Sequence, residues 1–281
     1  MNSVEMSAKW LKYQLGFQDT SAFVVWLRPY FNRFLEILYG RHGLSRRLGG
    51  EEAVRLRPAF RDFKDDFESE VCRYLTSAVA PGDVVLEVGA NVGVLTVFLA
   101  RRVAPGGYIY AFEPSPKTVQ ALSDHLSLNG VTQDQASIVP AAVSDSSGRA
   151  MFYFDGSSGQ NTLSPKHGRI PTAASVEVET VTIDEFCFGN RIVPTFIKID
   201  IEGYELHALR GAEHTLRHFR PKLLVEMHPM NWPEIGITAS EITEFISHLD
   251  YQIVPLKNGE DPFSAYGHAV LVPNTAQGRS S

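Results

Sequence analysis

The spacing of apolar residues divides the chain into two unlike stretches. Residues 1–80 carry apolar and aromatic side chains at helical intervals, punctuated by Gly40, Gly43 and Gly49-Gly50. Phe63, Phe67, Val71, Tyr74, Leu75 and Ala78 recur at helical steps and predict one helix over residues 60–78. Further upstream, the run Ala22-Phe23-Val24-Val25-Trp26-Leu27 continues into Phe31, Phe34, Leu35, Ile37 and Leu38. Arg28, Pro29, Asn32, Arg33 and Glu36 interrupt it, whereas a membrane span needs about 20 mostly apolar residues. The pattern predicts two short amphipathic helices broken at Pro29. Residues 1–80 thus read as a helical N-terminal extension, a packed cap or homo-oligomer contact, with peripheral membrane contact as a second use.

At Pro81-Gly82-Asp83 the rhythm changes. Val84–Val88 is a short apolar run of the kind buried on both faces of a parallel sheet. A helical segment over 92–103, a strand over Tyr108–Phe112, a helix over 115–128 and a strand over 137–143 follow. Strand, helix, strand, helix, strand argues for parallel pairing with right-handed crossovers. Residues 149–154 and 175–181 then read as antiparallel strands, a β-hairpin insertion near 146–186 around a polar, glycine-rich loop at 155–171. Strands over 196–201 and Lys222–Met227 enclose a helix over 204–219, and a helix over 240–249 precedes a terminal strand pair at 251–256 and 269–272. The prediction is an α/β, doubly wound, Rossmann-like sheet over 81–274, mostly parallel with an antiparallel terminal strand, and a disordered tail at 275–281.

Composition changes this picture only at its margins. The chain has 281 residues and a formal net charge of −6, so no broad basic field points to nucleic acid. Cys72 and Cys187 show no metal-ligand spacing and read as reduced thiols of a cytoplasmic protein.

Chemistry concentrates at the predicted strand ends. Glu87-Val88-Gly89-Ala90-Asn91-Val92-Gly93 ends the first strand of the sheet, where such folds bind nucleotides. Asn91 and Val94 stand where a dinucleotide fingerprint has glycines, which disfavours an NAD(P)-dependent oxidoreductase on the same sheet. Glu113 closes the next strand, about 20 residues on, where an acid accepts ribose hydroxyl protons. Its plainer role is to cap the helix that follows; with Glu87, Gly89, Ala90, Asn91 and Gly93, the adjoining Pro114 and Ser115 are the further expected cofactor contacts. Ala142 and Val143 offer an apolar wall for an adenine.

Four strings, Glu-Val-Gly-Ala-Asn-Val-Gly at 87–93, Phe-Glu-Pro at 112–114, Ala-Val-Ser-Asp at 142–145 and Lys-Ile-Asp-Ile-Glu-Gly-Tyr-Glu at 198–205, resemble the FkbM-type methyltransferases over about 68–229. The resemblance implies a class I methyltransferase fold, S-adenosylmethionine as donor, and transfer to a hydroxyl oxygen of a sugar, glycolipid or polyketide-type natural product. Residues 1–60 lie outside it, so the acceptor is not inherited from it.

The residues read the same way physically. Asp200 and Glu202 end the fourth strand of the sheet, and Glu226 and His228 end the fifth; four titratable groups at adjacent strand ends call for a task or a partner. Asp200 or His228 is the expected base, with Glu226 orienting the histidine or holding the acceptor. A metal such as Mg²⁺ held by Asp200, Glu202 and Glu226 suits carboxylate chemistry but is not demanded by the spacing. Asn161 and His167 in the polar loop, and Trp232, are the candidate acceptor contacts. A non-catalytic nucleotide-binding module that docks a partner through its N-terminal helices is the rival from another class, and the clustered acids speak against it.

Overall fold

A computed structural model describes residues 21–49, 52–63, 66–154, 163 and 174–274, together with Met6, Trp10 and Gln14. The tail at 275–281 lies outside the described residues, as do Asn161 and His167.

Seven strands form the main sheet: β3 (Val84–Val88), β4 (Tyr108–Phe112), β5 (Ala136–Val139), β9 (Phe196–Ile199), β10 (Lys222–Met227), β11 (Tyr251–Pro255) and β12 (Gly267–Pro273). Their order across the sheet is β11-β12-β10-β9-β3-β4-β5. The chain winds from β3 outward through β4 to β5, then returns to the other side of β3 and winds outward through β9 and β10. Pairings from β5 to β10 are parallel. β12 is antiparallel to both its neighbours. The winding reverses between β3 and β9, and there a crevice opens at the strands' carboxyl ends. Successive side chains of β3 serve opposite faces. Val85 joins a core with helices Ser69–Ala78 and Val94–Val103, whereas Leu86 and Val88 join one with Ile183–Asn190 and Ala239–His248. Cys72 and Cys187 lie buried in these separate cores.

The carboxyl ends of β3 and β9 meet at Gly89. Its φ is +84°, and a Cβ there would stand 1.9 Å from the Asp200 carbonyl oxygen. The glycine is therefore needed for packing of the protein on itself as well as for the turn. Gly89→Ala should lower stability by roughly 3 kcal/mol and the thermal midpoint by roughly 6–12 °C. Calorimetry checks this; a melt within a degree of wild type contradicts it.

Several sequence expectations are corrected. Pro29 does not break its segment, since Ala22–Tyr39 (α1) is one helix with Pro29 inside it. The extension is not wholly helical either: Leu44–Leu48 (β1) and Glu52–Leu56 (β2) pair antiparallel. Burial alternates along β1, but its inward middle residue is Arg46, and the break in apolar alternation hid the strand. The Arg46 guanidinium donates to the carbonyls of Ser45, Arg61 and Phe63. The helix expected over residues 60–78 starts only at Ser69, and a 3-10 turn at Pro58–Phe60 stands before it.

The 137–143 strand is split, because Pro140 cannot donate to a ladder. Ala142–Val143 (β6) leaves for a second sheet of order β6-β8-β7, with β7 at Gly148–Phe154 and β8 at Ala174–Val181. Residues 204–219 form two helices, Glu205–Arg210 and Glu213–Phe219, parted at Gly211. A Cβ on Gly211 would stand 2.1 Å from the Ser144 carbonyl oxygen.

Candidate active site

A cavity of about 310 Å³ lies at the switch point. On its β3–β4 side stand Gly89, Asn91, Phe112, Glu113 and Pro114, with Ala141, Ala142, Val143, Phe152 and Leu163 extending an apolar wall. Its other side is acidic, with Glu68, Asp200, Glu202, Glu226, Tyr204 and Tyr266. Three lining residues that are not glycine, Glu68, Asn91 and Glu202, hold positive φ values of 49°, 50° and 53°. Asparagine accepts that conformation readily, whereas for a glutamate it costs of order 1 kcal/mol.

Glu113 is buried at the carboxyl end of β4. Its carboxylate accepts the Asn91 N–H at 3.1 Å and the Ser115 N–H at 2.9 Å, so it ties the β3 turn to the start of the next helix. Burial raises its pKa to about 7 against those two donors. Glu87, Ala90, Gly93 and Ser115, all expected to touch a cofactor, stand behind the wall. Glu87 is fully buried, raised to about 7 by desolvation against the pull of Lys198. Gly93 abuts Leu122, whose Cδ1 lies 2.1 Å from where its Cβ would be.

On the acidic side the Lys198 ammonium lies 3.1 Å from Asp200 Oδ2. Burial pulls Lys198 down, but Asp200, Glu68, Glu87 and Glu226 more than offset it and hold it charged. Burial likewise raises Asp200 against Lys198, and Glu202 to about 7 against His228. His228 lies behind Glu202, with Nε2 3.5 Å from Glu202 Oε2. Its Nδ1 donates to Glu205 Oε1 at 2.7 Å. Burial lowers His228, yet the Glu205 hydrogen bond and charge, with Glu202 and Asp200, carry it to about 9. The histidine is therefore a cation at neutral pH.

The residue that orients His228 is thus Glu205, not Glu226. Glu205 is fully buried and also accepts the Gly203 N–H and the Trp232 Nε1–H, each at 2.8 Å. Trp232 is corrected as an acceptor contact: it is 2% exposed and its indole is spent on Glu205. Glu226 instead accepts the Tyr266 hydroxyl and lies 3.5 Å from His268 Nε2. Burial raises Glu226, but His268, Lys198 and His228 bring it below the usual carboxylate range. Glu68, raised by burial to about 6, stands 3.8 Å from the same His268 nitrogen.

The metal set expected from the strand ends is also redrawn. Among the described residues, metal-ligand groupings form from Glu68, Glu226 and His268, and from Asp200, Glu226 and His228; Glu202 belongs to neither. Glu68, Glu205, Tyr266 and His268 escaped the sequence reading. Glu205 alone carried a signal, as the last residue of the Lys198–Glu205 string.

The cavity suits a sulfonium nucleoside. An acid stands at the β4 end, the wall beyond it is apolar, and carboxylates outnumber cations opposite, which favours a positively charged ligand. Strand order, switch-point cavity and strand-end acid define a class I methyltransferase domain that takes S-adenosylmethionine.

The model of the methyltransferase FkbM domain matches residues 87–253, more than half of the chain, and the chain belongs to that family. Among relatives, the hexuronic acid methyltransferase AglP of Haloferax volcanii is 26% identical over 201 residues, covering 69% of this chain and 74% of its own. The 31-O-demethyl-FK506 methyltransferase FkbM of Streptomyces tacrolimicus is 44% identical over 78 residues, covering 27% and 28%. A solved methyltransferase FkbM from Methylobacillus flagellatus is 18% identical with a TM-score of 0.46, covering 71% of this chain and 50% of that one.

Proposed function

We propose that this methyltransferase transfers the methyl group to a hydroxyl oxygen of a sugar, glycolipid or polyketide-type natural product. The observation that carries the reading is the pairing across one cavity of Glu113 with Glu202 and Asp200. Glu202's pKa of about 7 suits it to take a proton near neutrality. The names of the two relatives, one a hexuronic acid methyltransferase and one a 31-O-demethyl-FK506 methyltransferase, support the acceptor class.

S-adenosylmethionine supplies a methyl group on a sulfonium, an electrophile that needs neither metal nor redox chemistry. Glu113 and the Asn91 turn bind its nucleoside, and Ala142 and Val143 wall its base. Glu202, with Asp200 beside it, would receive the acceptor's hydroxyl proton as the oxygen–methyl bond forms and the methyl–sulfur bond breaks, S-adenosylhomocysteine being the leaving group. His228 is too basic to be that acceptor below about pH 9; its cation keeps Glu202 ionisable. Asn161 and His167 are proposed to touch the acceptor, and Leu163 of the same loop lines the cavity. The test pairs uronic-acid glycosides bearing free hydroxyls with their deoxy counterparts. Methylation of the first and not the second supports transfer to a hydroxyl, and equal methylation of both refutes it, because the carboxylate common to both would then be the acceptor.

Glu205 is a positioning residue in this scheme. Glu205→Gln should let the His228 pKa fall, and Glu202 then loses the charge that lowers it, a larger effect than the loss of Glu205's own weaker upward push on Glu202. The rise of kcat with pH should move upward by about one unit, with S-adenosylhomocysteine affinity unchanged. An unshifted profile contradicts this role.

A further inference from the structure

Helix α1 carries its apolar stripe on the wrong side for a helix of a globular core. Trp26, Leu27, Tyr30, Phe34, Ile37 and Leu38 are all exposed, Trp26 by 60% and Tyr30 by 62%. At 3.6 residues per turn they share an arc of about 120°. The opposite side meets the body: Leu35 is fully buried, Glu36 pairs with Arg57, and the Arg61 guanidinium lies over Phe31. Trp26 packs against both Phe23 and Tyr30, so the exposed face is a continuous aromatic surface. Upstream, Met6 and Trp10, four residues apart, are exposed as well.

Charge selects what this face fits. Residues 20–50 hold five arginines and one acid, Glu36, which the pair with Arg57 occupies. Residues 1–61 carry ten Lys and Arg against five Asp and Glu, while the remainder carries sixteen against twenty-seven. Arg33 and Arg41 are exposed near the apolar arc. Two copies meeting through this face would bring arginines together with no exposed acid of the helix to offset them. A bilayer surface with anionic headgroups satisfies both features, since tryptophan and tyrosine settle at the membrane interface beside cations. No described helix is long and apolar enough to cross a membrane. We infer that α1 lies in the plane of an anionic membrane surface and docks the enzyme there.

Sedimentation of the full chain with vesicles tests this, comparing pure phosphatidylcholine with an equal mixture of phosphatidylcholine and phosphatidylglycerol. Binding to the anionic vesicles, weakening with added salt, is expected. Trp26→Ser with Tyr30→Ser should weaken it at least about tenfold. Arg33→Glu with Arg41→Glu should weaken it similarly. S-adenosylhomocysteine affinity should stay unchanged in both, which shows that the variants fold. No binding of wild type to anionic vesicles, or binding indifferent to both double variants, overturns the inference. So does a dimer in light scattering that the aromatic variant dissociates, because a second copy then covers the face.

Discussion

Asp200→Ala is expected to lower kcat at least about 100-fold while leaving S-adenosylhomocysteine affinity within about threefold of wild type. The split follows from what the residue touches. Asp200 lines the acidic side of the cavity, and its side chain pairs with Lys198 rather than with Glu113 or the β3 turn. What it lends the fold is its carbonyl, packed against Gly89, and alanine keeps that carbonyl. Lys198 does not become an orphan cation, because Glu68, Glu87 and Glu226 still act on it. Losing Asp200 removes a negative charge beside Glu202, and the proton must then pass without that support. Calorimetric titration with S-adenosylhomocysteine and steady-state kinetics separate the two effects. Parallel loss of affinity and kcat would make Asp200 a structural residue.

The converse variant, Glu113→Ala, should weaken S-adenosylhomocysteine binding roughly 100-fold, from the loss of charge-assisted hydrogen bonds at about 1.5–3 kcal/mol each. It also frees the Asn91 and Ser115 N–H groups that now donate to Glu113, so the β3 turn loses an anchor. The effect has a pH signature. With its pKa near 7, Glu113 is increasingly a neutral acid below that pH and a poorer acceptor of ribose hydroxyls. Wild-type affinity should therefore fall as pH drops from about 8 to about 6, and the variant's should not. Titrations at the two pH values check this. A pH-dependent fall that persists in Glu113→Ala would place the titrating group elsewhere.

Much of the sheet was legible because parallel strands buried on both faces are written as short apolar runs. Val84–Val88 and Lys222–Met227 have the bounds their hydrophobicity predicts. Their ends announced Glu113, Asp200 and Glu226 because an acid closing an apolar run is conspicuous. What stayed hidden depended on pairing across the chain. His268 faces Glu226 only through the antiparallel register of β10 with β12, in which those residues are direct partners. Glu68 reaches the cavity from the extension, whose β1–β2 hairpin docks through hydrogen bonds between Asn129 and Arg55. Glu205 looked like a first-turn helix acid, an ordinary place for one. Its three donors come from Gly203, His228 and Trp232, the last two more than 20 residues away. Trp232 misled for the same reason: next to a histidine at a strand end, nothing local says that its indole points inward.

The most direct measurement follows the methyl carbon itself. Supplied with S-adenosylmethionine ¹³C-labelled at the methyl group and a hydroxyl-bearing glycoside, the enzyme should yield a product whose labelled methyl correlates with a carbinol carbon. Label found on nitrogen, sulfur or carbon, or retained on the donor although the donor binds, would contradict O-methyl transfer at this site.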